Sequence, residues 1–399
     1  MNILIITLSF PSYKDGVFDG KFVLSEAFAY AENGANVRVL TPHYNNAEKM
    51  EQFHERITVF RFQYFAPKAF QVLKKPGVPV YSLRSPLAVF QVPFLCFFFL
   101  LHILKHAPWS NVIHAQWTFS GLLALAAKWI YGKKIVVTAR GSDLRLLPRW
   151  MNQFIHYKVD AAIDCFGPQP WNVEYKKNFR SHYLKLPLIV HNEDSLSIPE
   201  DMKVALSKKS DPFIILYVGR FSYAKMQGNK LPLIGLIHAA RILESKDIHF
   251  HLLYIGEGEI SIKREMLRLI DNYDLHPHVS LLGPKNNVSD YITWCHIGVG
   301  GIAFNAVSQE FTVHGKTQLL IDSVDNAGTP WRHGINSIFV KPDDENDLVE
   351  KLIWATENRQ RATEMGEYAR NEMKEIIVGS KLGGKLYLRE FEKLQNRST

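Results

Sequence analysis

Two cations five residues apart sit where a strand gives way to a loop, in Tyr217-Val218-Gly219-Arg220-Phe221-Ser222-Tyr223-Ala224-Lys225. A strand that ends at a glycine and then presents Arg220 and Lys225 suits a pyrophosphate. Arginine grips phosphate oxygens in a fork, and lysine adds a point charge. The same pair also fits two solvated surface cations, and spacing alone leaves both readings open. Other spacings exclude chemistry. No D-x-D occurs in the chain, so a metal-bound diphosphate site is unsupported and no metal is expected. No G-x-x-x-x-G-K-S/T occurs either. Ile255-Gly256-Glu257-Gly258-Glu259 lacks the third glycine of a dinucleotide fingerprint and does not follow the first strand. His102 and His106 have a zinc-like spacing, but no acidic residue or third ligand is near them, and they read as interfacial residues. Cys96, Cys165 and Cys295 are odd in number and far apart, which excludes a fully paired disulfide framework and points to a reducing cytoplasm.

The elements that must position these residues recur along the chain. Short apolar runs bounded by turn signals read as buried parallel strands: Ile3–Leu8, Ala35–Leu40, Ile57–Phe62, Asn111–His114, Ile135–Ala139 and Ala161–Cys165. Helical patterns such as Gly20–Asn33 and Ser120–Tyr131 separate most of them. The opening Met1–Leu8 is therefore a strand rather than a signal peptide. Around Ile189–Pro212 the pattern weakens, and it restarts at Phe213–Val218. Leu233–Glu244, Ser261–Tyr273, Asn346–Glu357 and Arg359–Ile376 follow as helices. His249–Ile255, Val279–Leu282, Ile297–Val299, Gln318–Ile321 and Ile338–Val340 follow as strands. Alternating strand and helix predicts parallel sheets with right-handed crossovers, whose ligands bind outside the carboxyl ends of the strands. The predicted architecture is α/β, with two facing Rossmann-like domains and a cleft between them. The predicted boundaries are 1–194, 195–376, and a last segment, 377–399, whose helix Val378–Phe391 crosses back to the first domain.

Composition agrees with a globular chain of two or three domains: 399 residues, 47% hydrophobic and 22% charged. The net charge of +8 is unevenly spread. Residues 1–190 hold 22 basic and 11 acidic side chains, a balance of +11, which leaves −3 for the rest. Between Glu55 and Asp143 lie 87 residues with no acid and 11 bases. Such polarity calls for an anionic partner on the N-terminal half. Nucleic acid is disfavoured, because the tract is apolar and carries no recognised readout module. The stretch Pro86 to Leu104 is long and apolar enough to span a membrane, but Gln91, Pro93 and His102 interrupt it. A core helix, a helix docked in one leaflet and a true span all remain open, with Lys74, Lys75, Arg84 and Lys105 flanking as a leaflet-bound segment requires.

In order along the chain, these segments resemble family 4 retaining glycosyltransferases of the GT-B fold. Val218-Gly219-Arg220-Phe221-Ser222…Lys225 is similar to the family's V-G-R-L-x-x-x-K-G. Asn2–Pro11 with Gly20-Lys21-Phe22-Val23 resembles its first strand and glycine-bearing loop. Val112–Trp117 resembles its H-A-H-W segment, and Val136–Asp143 its V-T-x-H-G-S-D segment. Ile255–Glu259 resembles I-G-x-G-P, and His333–Asn336 with Val340–Asp344 resembles D-G-x-N-G…V-x-P-x-D. The likeness runs from residue 1 to about 375. Glu310-Phe311-Thr312-Val313-His314-Gly315-Lys316 is similar to E-A-M-A-C-G-K, which makes Glu310 the second glutamate of the E-x7-E motif, the one that holds the ribose hydroxyls. The first glutamate is replaced by Ile302, and Ala303-Phe304-Asn305 replaces the usual G-F-G. Arg140 stands where many relatives carry histidine. Some relatives of the teichuronic-acid type carry A-R-G-S/T-D, and the N-terminal third resembles those most.

The resemblance implies a metal-independent, retaining transfer of a sugar from a UDP- or GDP-sugar, with no cofactor. Arg220, Lys225 and Arg140 would serve catalysis. Glu310, Gly20, Gly219, Phe304 and Asn305 would bind the donor, the last two at a helix N-terminus that helps neutralise the leaving diphosphate. His114 and Asp143 would meet the acceptor, although a lone histidine there also suits a hydrogen-bonded scaffold, and Arg140 also suits a salt bridge with Asp143. A lipid-linked or saccharide acceptor on an anionic membrane surface would account for the basic tract. That places the protein in the cytoplasm, on the inner face of the cell membrane, in bacterial surface-polysaccharide assembly. The rival reading is a catalytically weak GT-B relative acting as a partner subunit, motivated by Ile302.

Overall fold

Alternate residues of a strand look to opposite sides of its sheet, and in the first strand both sides are apolar. Ile3 and Ile5 enter one hydrophobic cluster, Leu4 and Ile6 another, and all four are fully buried. A strand of this kind needs helices on both faces. In the computed structural model, which describes residues 1–12, 20–43, 47–73, 86–139, 147–164, 182–184, 186–190, 197–207, 211–222, 230–300, 306–322 and 329–397, that is the arrangement. The chain divides into two compact units, Met1–His191 with Val378–Thr399, and Asn192–Ile377.

The first unit runs β1 (Asn2–Ile6), α1 (Lys21–Glu32), β2 (Asn36–Pro42), β3 (Met50–His54), β4 (Ile57–Phe62), α2 (Pro86–His106), β5 (Val112–Gln116), α3 (Thr118–Tyr131), β6 (Lys134–Ala139), α4 (Arg149–Lys158), β7 (Ala161–Asp164), β8 (His182–Leu184) and β9 (Leu188–Val190). Its sheet has the order β3-β4-β2-β1-β5-β6-β7-β8, parallel except for the β3–β4 hairpin. Ile5 stands opposite Val39 on one side and His114 on the other. The strand order reverses between β1 and β5, the place where open sheets bind ligands.

The second unit runs α5 (Glu200–Leu206), β10 (Phe213–Val218), α6 (Leu236–Ser245), β11 (Phe250–Ile255), α7 (Ile260–Asn272), β12 (Val279–Gly283), α8 (Val288–Trp294), β13 (Ile297–Val299), α9 (Ala306–Val313), β14 (Thr317–Ile321), β15 (Ile338–Val340), α10 (Glu345–Glu357) and α11 (Arg359–Glu372). A single wide turn, Leu231–Gly235, leads into α6. All pairs in its sheet are parallel, in the order β12-β11-β10-β13-β14-β15, and the reversal falls between β10 and β13.

The chain then returns to the first unit through β16 (Ile377–Gly379), which pairs with β9, and α12 (Ser380–Asn396). The predicted helix Val378–Phe391 thus begins at Ser380, because the residues before it are extended. Gly383 and Gly384 let α12 lie close to its neighbours: a Cβ on Gly384 would strike the carbonyl of Ala29 on α1, and one on Gly383 would strike Ile189 of β9. Tyr387 and Phe391 then bury their rings against Tyr30, and the Tyr387 hydroxyl donates to the carbonyl of Pro187 at 3.1 Å.

Several elements differ from the sequence reading. α4, α5 and α8 span 7–10 residues each, too few for a 3.6-residue period to declare itself. In α4 two of the three buried residues are the polar Asn152 and His156. β3 is an exposed edge strand with no buried residue. The predicted helix Arg359–Ile376 ends at Glu372 and closes with the 3-10 turn Met373–Glu375.

Candidate functional site

In the second unit, β10 leads into Gly219 and Arg220, and β11 into Gly256–Glu259. These two segments are zipped together beyond the sheet. Gly219 N–H donates to the Ile255 carbonyl at 3.0 Å, Phe221 N–H to Glu257 at 3.0 Å, and Glu259 N–H to Phe221 at 2.9 Å. Phe221 and Gly258 form a parallel bridge, and the Ser222 hydroxyl donates to the Glu259 carboxylate at 2.7 Å. Glycine is required here by contact: a Cβ on Gly256 would overlap the Gly219 carbonyl, and one on Gly258 the Phe221 carbonyl. Gly256 also has φ +135°, a conformation that side chains avoid.

The Arg220 carbonyl is fixed by Ser222 N–H at 3.0 Å and by the Tyr217 hydroxyl at 3.1 Å. Its side chain is exposed, and among the described residues none forms a hydrogen bond or ion pair with its guanidinium. An exposed arginine with a fixed backbone at the carboxyl end of a central strand is suited to a phosphate group. Lys225 lies outside the described residues, as do Phe304, Asn305 and Ile302.

Glu310 belongs to α9, the helix that follows β13 across the strand-order reversal. The position of α9 is set by small residues in β13 and its continuation. Phe311 sits over Gly298, where any Cβ would meet its ring, and Ser308 sits over Gly300. Gln318 of β14 donates its amide to the Ser308 carbonyl and the Thr312 hydroxyl, both at 2.9 Å. The Glu310 carbonyl accepts the His314 ring Nδ1–H at 2.8 Å, and His314 Nε2 pairs with the Ser289 hydroxyl at 2.7 Å. The Glu310 side chain is half-buried. Gly298, Gly300 and Gln318 were not singled out by motif reasoning. The signal for them was the pair of alternate glycines in Ile297-Gly298-Val299-Gly300, which marks a close helix approach.

In the first unit, Gly20 opens α1 with φ +80°, and a Cβ there would collide with Ser9 in the loop after β1. The first turn of α1 therefore stands at the β1–β5 reversal. Across that reversal is Trp117, the last residue of the segment that resembles H-A-H-W. It has φ +66°, strained for a bulky residue, and holds this shape by donating its N–H to the Thr138 carbonyl at 3.0 Å and packing edge-on to Phe22.

His114 is fully buried. Its Nε2 meets Thr138 Oγ1 at 2.7 Å, its Nδ1 meets Tyr30 at 3.1 Å, and the buried Glu26 carboxylate lies 3.7 Å from Nδ1 and accepts from Gln116 at 2.6 Å. Phe391 of α12 covers the ring. A histidine so enclosed reaches a bound molecule only through its neighbours. Arg140 and Asp143 follow β6 in sequence and lie outside the described residues.

His102 and His106 are a correction. Rather than lying at an interface, they stack in an aromatic column, His102 on Phe62 and His106 on Phe60, with His106 buried. Burial and the nearby Arg38 push the His106 ring down to about 4. Among the described residues, no three His, Cys, Asp or Glu side chains converge. Cys295 is buried, which pushes its thiol up to about 12 and leaves it inert as a nucleophile. A cavity of about 510 Å³ opens in the second unit where β10, β13 and β14 begin, lined by Ile214, His296 and Lys316 among others. It lies at the opposite end of the sheet from Arg220, where ligands of such sheets do not bind.

Residues 199–372 match the sequence family described as glycosyl transferases, group 1. No curated protein matches the sequence. Among solved structures, the chain is similar to sucrose-phosphate synthase from Thermosynechococcus elongatus at 17% identity and a TM-score of 0.70, over 100% of both chains. It is similar to HepE of Anabaena, solved with UDP and glucose, at 14% identity and a TM-score of 0.62, over 98% of this chain and 100% of that one. It is also similar to a UDP-forming α,α-trehalose-phosphate synthase from Burkholderia xenovorans, solved with glucose-6-phosphate, at 13% identity and a TM-score of 0.63, over 98% and 100%. The fold is GT-B. The family match lies within the second unit, and the structural likenesses extend over both units.

Proposed function

We propose that this protein is a metal-independent, retaining glycosyltransferase that moves a sugar from a UDP- or GDP-sugar to a lipid-linked or polysaccharide acceptor in bacterial surface-polysaccharide assembly. The observation that carries the reading is Arg220, exposed and unpaired among the described residues at the β10–β13 reversal, with Glu310 supplied from the other side by α9. The solved complexes of similar proteins with UDP support a nucleotide as a ligand.

Arg220 and Lys225 would bind the diphosphate, and Glu310 would accept two hydrogen bonds from the ribose hydroxyls. Gly219, where a Cβ would meet the Tyr217 hydroxyl, would let a phosphate approach the backbone, and Phe304 and Asn305 precede the N-terminus of α9, which adds positive potential. In the first unit Gly20 would bind the donor, as the resemblance implies. Arg140 and Asp143 would contact the acceptor, and His114 would position Thr138 and Tyr30 behind it. In the step itself, the bond from the anomeric carbon to the phosphate oxygen breaks. The nucleoside diphosphate leaves with the electron pair, and the acceptor oxygen bonds to the same face of that carbon. The acceptor proton passes to the departing phosphate oxygen. Such a step needs mainly positioning and charge stabilisation.

The test is turnover of a panel of UDP- and GDP-sugars, followed as nucleoside diphosphate release, with Arg220→Ala beside the wild type. Release by the wild type alone supports the reading. A folded wild type that binds no member of the panel overturns it.

A further inference from the structure

The helix α2 is 21 residues and about 31 Å long, enough to cross a bilayer by length. Every polar interruption in it faces protein. Gln91 is buried, donating to the Phe70 carbonyl at 2.6 Å and accepting from Val72 N–H at 3.1 Å. His102 and His106 stack on Phe62 and Phe60. Leu95, Phe99 and Ile103 join the cluster that holds Leu40 and Phe62 of the sheet. Apart from Lys105 in the last turn, what remains outside is apolar: Phe90 is 59% exposed, Phe97 56%, Val89 54% and Leu101 46%. Only 28% of its most apolar 18-residue stretch is buried.

The two helices beside α2 continue this surface. α2, α3 and α4 cover the same side of the sheet, since Ile103, Leu125 and Ile155 share one cluster. The outer side of α3 ends in Trp129, Ile130 and Tyr131, and that of α4 carries Trp150, Phe154 and Tyr157, all exposed. Both tryptophans are about two-thirds exposed, 65% and 66%. Isolated surface hydrophobics are ordinary; a layer of them across three adjacent helices marks an interaction face. The exposed charges on these helices are Lys105, Arg149 and Lys158. Asp160, just after α4, is engaged by Lys128 at 3.0 Å and Lys134 at 3.7 Å. Residues 56–142 contain no acid at all.

We propose that this three-helix face docks in the plane of an anionic lipid leaflet. Apolar side chains enter the acyl boundary, tryptophans and tyrosines sit at the headgroups, and lysines meet lipid phosphates. α2 does not span, because leaving the sheet would strip Leu95, Phe99 and Ile103 from the core and expose Gln91. The proposal stands independently of the sugar chemistry.

Sedimentation of the full chain with phosphatidylcholine vesicles, and with vesicles containing about 30% phosphatidylglycerol, tests it. The wild type should pellet with the anionic vesicles more than with the neutral ones. The double variant Phe90→Asp, Phe97→Asp should lose binding at least about tenfold, with its melting temperature and nucleotide-sugar binding unchanged. Trp129→Ala with Trp150→Ala should weaken binding as well. Failure to pellet, or pelleting that ignores Phe90 and Phe97, overturns the proposal. So does a stable dimer of the free chain that the same substitutions dissolve. Lost vesicle binding with intact nucleotide-sugar binding would remove the docking face and leave the proposed reaction standing.

Discussion

Arg220 and Glu310 differ in what their loss should do, because they would touch different parts of one donor. Arg220→Ala removes a charge-assisted fork from the leaving diphosphate, so kcat/KM should fall about 10- to 100-fold. Glu310→Gln keeps the shape and removes the charge, so nucleotide affinity should drop about tenfold by calorimetry. Equal affinity in wild type and Glu310→Gln would remove the ribose role. Arg220 was legible because a strand, a glycine and a cation are adjacent in sequence. Trp117 was legible as the end of the H-A-H-W-like segment, but its positive φ was not, since no residue type announces a backbone angle. His114 was legible as a position at the end of a strand, but its burial under Phe391, hundreds of residues away, was not.

At the scale of elements, the glycines between strands decide the shape of the site. Gly256→Ala adds a Cβ against the Gly219 carbonyl in a strained conformation, and should cost about 2 kcal/mol or more by denaturant unfolding. An unchanged midpoint would show that the β10 and β11 segments are not locked together. Long, doubly buried strands such as β1, β10 and β11 were plain in the sequence, because both faces are apolar and the run is continuous. Short helices were not. α9 covers eight residues, and what fixes it is the fit of Phe311 over Gly298, a tertiary contact rather than a pattern. α2 was visible as an apolar helix, but whether it lay in the core or outside depended on which face carried Gln91 and His106.

For the whole molecule, buried histidines set a pH limit. Burial holds His156 down to about 3, and burial with nearby cations holds His106 and His296 down to about 4. Their pKa values lie below the unfolded value of about 6.5. Between those values the unfolded chain binds the extra protons, so stability is complete above about 6.5 and is lost as pH falls toward 4. Each such histidine contributes at most about 1.4 kcal/mol per pH unit across its window. Melting temperature should therefore fall steadily below pH 6.5, and a flat profile down to pH 4.5 would contradict the buried placement of His156 and His106 and the half-buried placement of His296. The charge asymmetry that the sequence displays finds a structural counterpart in the first unit, where the acid-free segment supplies the exposed face of α2 and the end of α3.

The central claim, a nucleotide-sugar site at the β10–β13 reversal, is tested most directly by binding. Thermal shift of the wild type and Arg220→Ala against UDP-glucose, other UDP-sugars and GDP-sugars reads it, because a ligand of the native state raises the melting temperature. At least one nucleotide sugar should stabilise the wild type and lose that effect in Arg220→Ala. A wild type that no nucleotide sugar stabilises, or an Arg220→Ala protein that is stabilised equally, would contradict it.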